Sequence, residues 1–197
     1  MKQCVTLFIV TALLFSCAKQ DLQQEEDNLN SASAKKNNPG LQNGAYASDW
    51  EQYNNWTKKD EDGYSTYSVT KKVSELTPSI VEGGLVLTYA KVATSDAGYQ
   101  QFTKPGLVPF YYLPPSERPA AGVYYFSDNT STEQMTVSYR TQSSKAELPA
   151  MGGGVALKDF KFQYVVFTRE FLDSRGLDKN TIRNYYTYEQ VMNLMNR

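Results

Sequence analysis

None of the 197 residues is histidine. That removes imidazole acid–base catalysis, Ser-His-Asp and Cys-His nucleophiles, and the commonest zinc and transition-metal ligand. Chemistry would have to come from carboxylates, Lys, Tyr or a Ser-Lys pair. Three acids fall close together late in the chain, Glu170, Asp173 and Asp178. Two of them in one cleft could serve glycoside hydrolysis, one carboxyl protonating the leaving oxygen while the other acts as base or nucleophile. Beside Arg169 and Arg175 they fit ordinary surface ion pairs better. Lys71, Lys72 and Ser74 lie in or just after a strand-like run, with no nucleophile motif around them. No Lys-Ser/Thr follows the glycines at 152–154, so they read as a connection and not a phosphate loop. Asn55-Trp56-Thr57 and Asn129-Thr130-Ser131 match the N-glycosylation acceptor pattern, a match expected to be accidental. The expectation is a non-enzymatic chain with no catalytic residue, metal or cofactor.

Aromatic residues are the stronger binding signal. Trp50, Tyr53 and Trp56 follow one another at intervals of three, and the chain carries 15 tyrosines, among them the pairs Tyr111-Tyr112 and Tyr185-Tyr186. Tyr and Trp join an apolar body to a polar tip, which suits them to stacking on sugar rings and equally to filling the core and edges of a sheet with the tip left wet. Consecutive tyrosines in a strand point to opposite faces, so at least one of each pair faces outward. Trp50, Tyr53, Trp56, Tyr111 and Tyr112 are therefore the candidate ligand-binding residues.

The two cysteines lie at positions 4 and 17. Met1-Lys2-Gln3 precedes an uncharged run over residues 4–15, CVTLFIVTALLF. A basic start and about a dozen apolar residues have the form of an export signal; a permanent membrane helix needs about 20. Leu14-Phe15-Ser16-Cys17 resembles the lipobox of bacterial lipoproteins, with an aliphatic residue at −3, a small one at −1 and cysteine at +1; Phe15 is bulkier than that pattern usually carries. The resemblance implies cleavage before Cys17, a diacylglyceryl group on its sulfur and acylation of the new amine. Several acyl chains, at about 0.8 kcal/mol per buried CH₂, make a stable anchor where one would be marginal. Cys4 would leave with the signal, so no disulfide is available to the mature chain and the fold must rest on its core.

Losing Lys2 with the signal leaves 19 basic against 21 acidic side chains, a net charge of about −2. Lys35-Lys36 is no more than a pair, and nucleic acid is not an expected partner. Residues 18–44 contain no aromatic or β-branched side chain and are rich in Gln, Asn, Ser and charge. Such a segment cannot bury enough apolar surface to offset its ordering entropy. As a flexible tether of roughly 27 residues it would span about 30 Å root-mean-square. Asp21, Glu25, Glu26 and Asp27 resemble the acidic signals that direct Bacteroidota lipoproteins to the outer leaflet of the outer membrane; a solvated acidic linker fits them equally.

From about Tyr46 onward, period 2 dominates over period 3.6. Met135, Val137 and Tyr139 alternate with polar residues, as do Phe160, Phe162, Tyr164 and Val166, and so do Tyr67, Val69 and Val73 within 64–73. Each predicts a strand with one face inward. Residues 85–92, LVLTYAKV, are apolar on both faces and predict a central strand. Shorter strands are expected at 99–103, 108–113 and 123–127, with Pro- and Gly-containing turns between. Thr77-Pro78 before residues 79–82 predicts one helical turn. Thr187 and Gln190 form a capping box for a helix over 188–195. The expected organisation is a signal at 1–16, a lipidated Cys17 with a polar tether over 17–45, and one domain at 46–197: all-β, an antiparallel β-sandwich with a short C-terminal helix, or alternatively a small, partly open β-barrel.

The order of these features resembles small uncharacterised β-sandwich lipoproteins of Bacteroidota: the tryptophans, then SIVEGGLVLTYAKV, VPFYYLPP and FKFQYVVFTREF, then the Tyr-rich YYTYEQV. The resemblance implies a cell-envelope lipoprotein of the outer membrane, surface-exposed or periplasmic. It names no active site. The expected function is a membrane-tethered binding or structural module whose partner is a polysaccharide or an envelope protein. The alternatives are a glycan-binding accessory protein using Trp and Tyr, and a carboxylate-dependent hydrolase.

Overall fold

The computed structural model describes residues 41, 43–92, 103–111, 125–142 and 156–196, all within the compact unit Asn38–Arg197. Its strands are β1 (Ala45–Ala47), β2 (Glu51–Gln52), β3 (Thr57–Glu61), β4 (Tyr64–Lys72), β5 (Leu85–Val92), β6 (Gly106–Leu107), β7 (Phe110–Tyr111), β8 (Tyr125–Ser131), β9 (Gln134–Gln142) and β10 (Phe160–Phe167). Its helices are α1 (Pro78–Gly83), α2 (Arg169–Ser174), α3 (Lys179–Tyr185) and α4 (Tyr188–Met195).

Among the described residues, ten strands form two antiparallel sheets of five, and neither sheet closes on itself. In the first, β10 is central, with β5 on one side and both β1 and β2 on the other, and β6 lies beyond β5. The second runs β3-β4-β9-β8-β7. This is the expected sandwich, in which the two inner faces interdigitate to make the core.

Alternation explains the second sheet. Along β9, Met135, Val137, Tyr139 and Thr141 are buried, while the residues between them are partly or fully exposed; β4 does the same with Ser65, Tyr67 and Val69. Their inner side chains meet Val86, Ala90, Phe160, Phe162, Tyr164 and Val166 of the first sheet. The turn joining β3 to β4 is Asp62-Gly63, with Gly63 at φ +79°, a left-handed conformation that costs glycine little.

The first sheet differs because both its faces are covered. Leu85, Leu87, Tyr89, Val165 and Phe167 point away from the second sheet and pack beneath Phe171, Leu172, Ile182, Val191 and Leu194 of the three C-terminal helices. β5 is apolar on both faces, as its sequence predicts. β10 is not the one-sided strand its alternation suggests: Gln163 is buried beneath the helices, its amide donating to the Ser48 carbonyl (2.6 Å) and accepting from the Tyr188 hydroxyl (2.8 Å). A satisfied amide can be buried at little cost, so a polar residue in the pattern does not mark a wet face.

The C-terminal helix is present, with both capping-box hydrogen bonds: the Gln190 amide N–H to Thr187 Oγ1 (3.2 Å) and the Thr187 N–H to Gln190 Oε1 (2.7 Å). It is preceded by α2 and α3, capped by Thr168 and Asp178, which the sequence reading missed. At α1, Thr77 stands at the N-cap position but its hydroxyl meets Ser79 (3.0 Å) and caps no backbone N–H. Of the shorter expected strands, residues 110–111 form β7 and 125–127 open β8. Residues 99–102, 112–113 and 123–124 lie outside the described residues, as do the signal, Cys17, nearly all of the tether and the glycines at 152–154. Among the described residues no helix is long and apolar enough to cross a membrane.

Candidate functional site

The outer face of the second sheet is uncovered among the described residues, and strand register decides what stands on it. One cross-strand row runs Tyr111, Tyr125, Arg140, Thr66, Lys59. The next holds Ser127, Ser138, Ser68 and Thr57, and a third Asn129, Thr136 and Thr70. At about 4.8 Å between strands, the first row is roughly 19 Å long. No aliphatic side chain interrupts these three rows; they offer rings, one guanidinium, an ammonium, an amide and hydroxyls.

The aromatic end is pre-ordered. The Arg140 guanidinium lies 3.3 Å from the centre of the Tyr64 ring and 6.0 Å from that of Tyr125, donates a long hydrogen bond to the Tyr125 hydroxyl (3.5 Å) and stands 3.6 Å from a Glu61 carboxylate oxygen. Stacked on a ring and held near an acid, it keeps its planar fork in one orientation. Glu61 also accepts from Lys59 (2.9 Å); that hydrogen bond and the one from the Tyr64 hydroxyl hold its carboxyl below the usual range, while the same contact with Glu61 pushes the Tyr64 phenol up. The Tyr111 and Tyr125 ring centres are 6.1 Å apart. Tyr111 is 67% exposed. Farther along, Thr70 and Thr136 share a hydrogen bond (2.9 Å), as do Ser138 and Ser68 (3.2 Å), which fixes the hydroxyls in place.

The sequence-predicted residues divide. Tyr111 belongs to this face, and Tyr112 lies outside the described residues. Trp50, Tyr53 and Trp56 do not form one platform. Tyr53 is buried and stacks on Phe162 (5.1 Å between centres, 6° between planes). Trp56 is half-buried over the same core, its indole N–H donating to the Tyr53 carbonyl (2.8 Å). Trp50 packs on the helix side of the first sheet against Tyr188, with the Lys91 ammonium 4.2 Å from its ring centre. Tyr185 is exposed on α3, and Tyr186 is half-buried beside it.

Two of the three acids are used locally. Asp178 caps α3, accepting from the Thr181 N–H (2.8 Å) and hydroxyl (3.0 Å), which lowers its pKa. Asp173 pairs with Arg169 (3.4 Å), and Glu170 is exposed in the first turn of α2. Lys71 pairs with Glu51, and Lys72 lies 3.9 Å from Glu133. No group of three or more potential metal ligands occurs among the described residues.

Sequence reasoning missed Tyr64, Tyr125 and Arg140. Alternation could place each on an outer face, but only register puts them side by side. Compared with protein-family models, curated proteins and solved structures, the chain has no match.

Proposed function

We propose that this protein is a non-enzymatic, lipid-tethered envelope module that holds a polysaccharide against the outer face of its second sheet. The observation that carries the proposal is the row Tyr111, Tyr125, Arg140 with Tyr64 beside it. Exposed ring faces stack on the apolar faces of sugars, a fixed guanidinium donates to ring and hydroxyl oxygens, and the Ser/Thr rows donate and accept along the chain of sugars. A sheet about 19 Å across suits an extended polymer better than a small metabolite. Of the three candidate carboxylates, Asp178 is engaged as a helix cap and Asp173 in an ion pair. The location in this proposal is supported by the export signal and the lipobox-like LFSC: Cys17 would carry the anchor in the outer membrane, and the polar segment behind it would serve as a tether, with the domain surface-exposed or periplasmic.

The test is retention of the full chain on a panel of polysaccharides, with Tyr111→Ala and Arg140→Ala against Tyr185→Ala. Truncating a ring that stacks on a sugar forfeits about 1.4 kcal/mol, or tenfold in affinity. The first two variants are expected to weaken binding about tenfold each, with Tyr185→Ala unchanged. Equal retention of all three, or capture of an envelope protein in place of every glycan, refutes the proposal. Fatty-acid labelling that persists in Cys17→Ala refutes the anchor.

A further inference from the structure

The charges on the outer face of the second sheet cancel. Register and alternation place Lys59, Glu61, Lys72 and Arg140 on it, and each cation has an acid close by. Glu61 lies 2.9 Å from Lys59 and 3.6 Å from Arg140, and Glu133, in the β8–β9 turn, lies 3.9 Å from Lys72. Asp62 follows Glu61 in the β3–β4 turn, so three cations stand with three acids. The remaining charges of these strands face the other way. Lys58 and Asp60 stand opposite the buried Tyr67 and Ser65 and pair with each other (2.9 Å), and Lys71 pairs with Glu51. Asp128 points inward from β8, its carboxylate accepting from the Thr88 hydroxyl (2.6 Å) and attracted by Arg183.

A polyanion would gain from Arg140 and Lys59 about what it loses to Glu61 and Asp62. A neutral hydroxyl has no such conflict, because it accepts from the cations and donates to the acids. The hydroxyls of Ser127, Ser138, Ser68 and Thr57 in the next row act in the same two ways. Each has one proton and two lone pairs, more than the Ser138–Ser68 hydrogen bond consumes.

The rings set a direction. Tyr111 and Tyr125, with centres 6.1 Å apart, are neighbours across strands. Along the strands, the next outer residue after Tyr125 on β8 is Ser127, and the one before Arg140 on β9 is Ser138. A polymer laid along either strand leaves the rings at once. One laid across them meets two rings and then the guanidinium that stacks on Tyr64 (3.3 Å). One sugar per strand interval would fill the row from Tyr111 to Lys59, roughly 19 Å, with about four sugars.

We infer, on the reading that this face holds a polysaccharide, that the polymer is uncharged and extended and lies across the strands along Tyr111, Tyr125, Arg140, Thr66 and Lys59. Neutrality of the face, set by Glu61 and Asp62, selects against acidic glycans.

The test is retention of the full chain on neutral β-glucan, xylan and galactomannan and on acidic polygalacturonate and alginate, followed by calorimetry with oligosaccharides of two to six sugars from the polymer that binds best. A neutral polymer is expected to bind best, with affinity rising at least tenfold from disaccharide to hexasaccharide and unchanged as salt is raised, since no net charge is there to be screened. Glu61→Gln leaves Arg140 and Lys59 without their shared acid and is expected to raise retention on polygalacturonate at least tenfold. Lys59→Ala, at the far end of the row, is expected to weaken the hexasaccharide at least threefold more than the disaccharide. Gln134→Ala, roughly 20 Å along β9 from Arg140, is expected to weaken neither. Retention on none of the five polymers removes the glycan reading and the inference with it. An acidic polymer bound as tightly as any neutral one, affinity that falls with salt or does not rise with length, no gain in Glu61→Gln, or a greater loss in Gln134→Ala than in Lys59→Ala overturns the inference and leaves the glycan reading standing.

Discussion

Phe126→Ala would remove the side chain that joins the two sheets. Phe126 is fully buried on β8, its ring centre 5.1 Å from Phe110, 4.9 Å from Tyr139, 4.8 Å from Phe160 and 5.8 Å from Phe162. The last two belong to the opposite sheet. Phe-to-Ala changes in cores cost about 3–5 kcal/mol, the upper end applying where neighbours cannot collapse into the hole. Here the neighbours are rings on paired strands, and aromatic pairs contribute roughly 0.5–1.5 kcal/mol beyond buried area. The expected loss is about 4–5 kcal/mol, a large share of the 5–15 kcal/mol that holds a typical domain together. For a domain of about 150 residues that lowers Tm by roughly 10–15 °C. Urea unfolding followed by tryptophan fluorescence suits the measurement, because Trp50 and Trp56 report from opposite sides of the first sheet. The midpoint should fall with the slope unchanged. Tyr111→Ala is the control, at 67% exposure expected to stay within about 0.5 kcal/mol. A loss below about 2 kcal/mol in Phe126→Ala would mean that the ring is not seated between the sheets.

Two further perturbations probe the end of the sandwich. Gly84→Ala would bring a methyl group to 2.5 Å from the Phe167 carbonyl and 2.9 Å from that of Ile80; separating α1 from β10 should cost about 1–3 kcal/mol by chemical denaturation, and a variant as stable as the parent would show that the two do not abut. For Asp128, burial is the largest influence and raises the pKa, so the folded state holds this proton more tightly than the unfolded chain. Its contribution is then greatest below the ordinary carboxylate pKa of about 3.9 and is lost as pH rises through the raised value. Asp128→Asn, which keeps an acceptor for Thr88, should raise Tm at pH 7 and flatten the decline between pH 4 and 7. A lower Tm at pH 7 would mean that attraction to Arg183 outweighs the cost of burial.

Much of the fold could be read from local pattern. The second sheet alternates because one face is wet, and β4 and β9 fall where alternation predicts them. β5 shows its two covered faces in an unbroken apolar run. The C-terminal helix is marked by a capping box whose two hydrogen bonds are local. The short strands β1, β2 and β3 have too few residues to show a period, and α2 and α3 are six and seven residues long, held mainly by the sheet they cover and not by their own propensity.

The candidate face depended on tertiary structure. Alternation says whether a side chain points in or out; it does not say which residue of another strand stands beside it. Tyr111, Tyr125, Arg140 and Tyr64 come from four strands and meet through register alone. In the same way, the W-x-x-Y-x-x-W run, one cluster in the sequence, is divided between the two sides of the first sheet, because β2 lies within it and the chain must fill a core on each face. Composition alone had already limited the chemistry: with no histidine anywhere, imidazole plays no part, and the fold decided which of the remaining rings, hydroxyls and charged groups stand together.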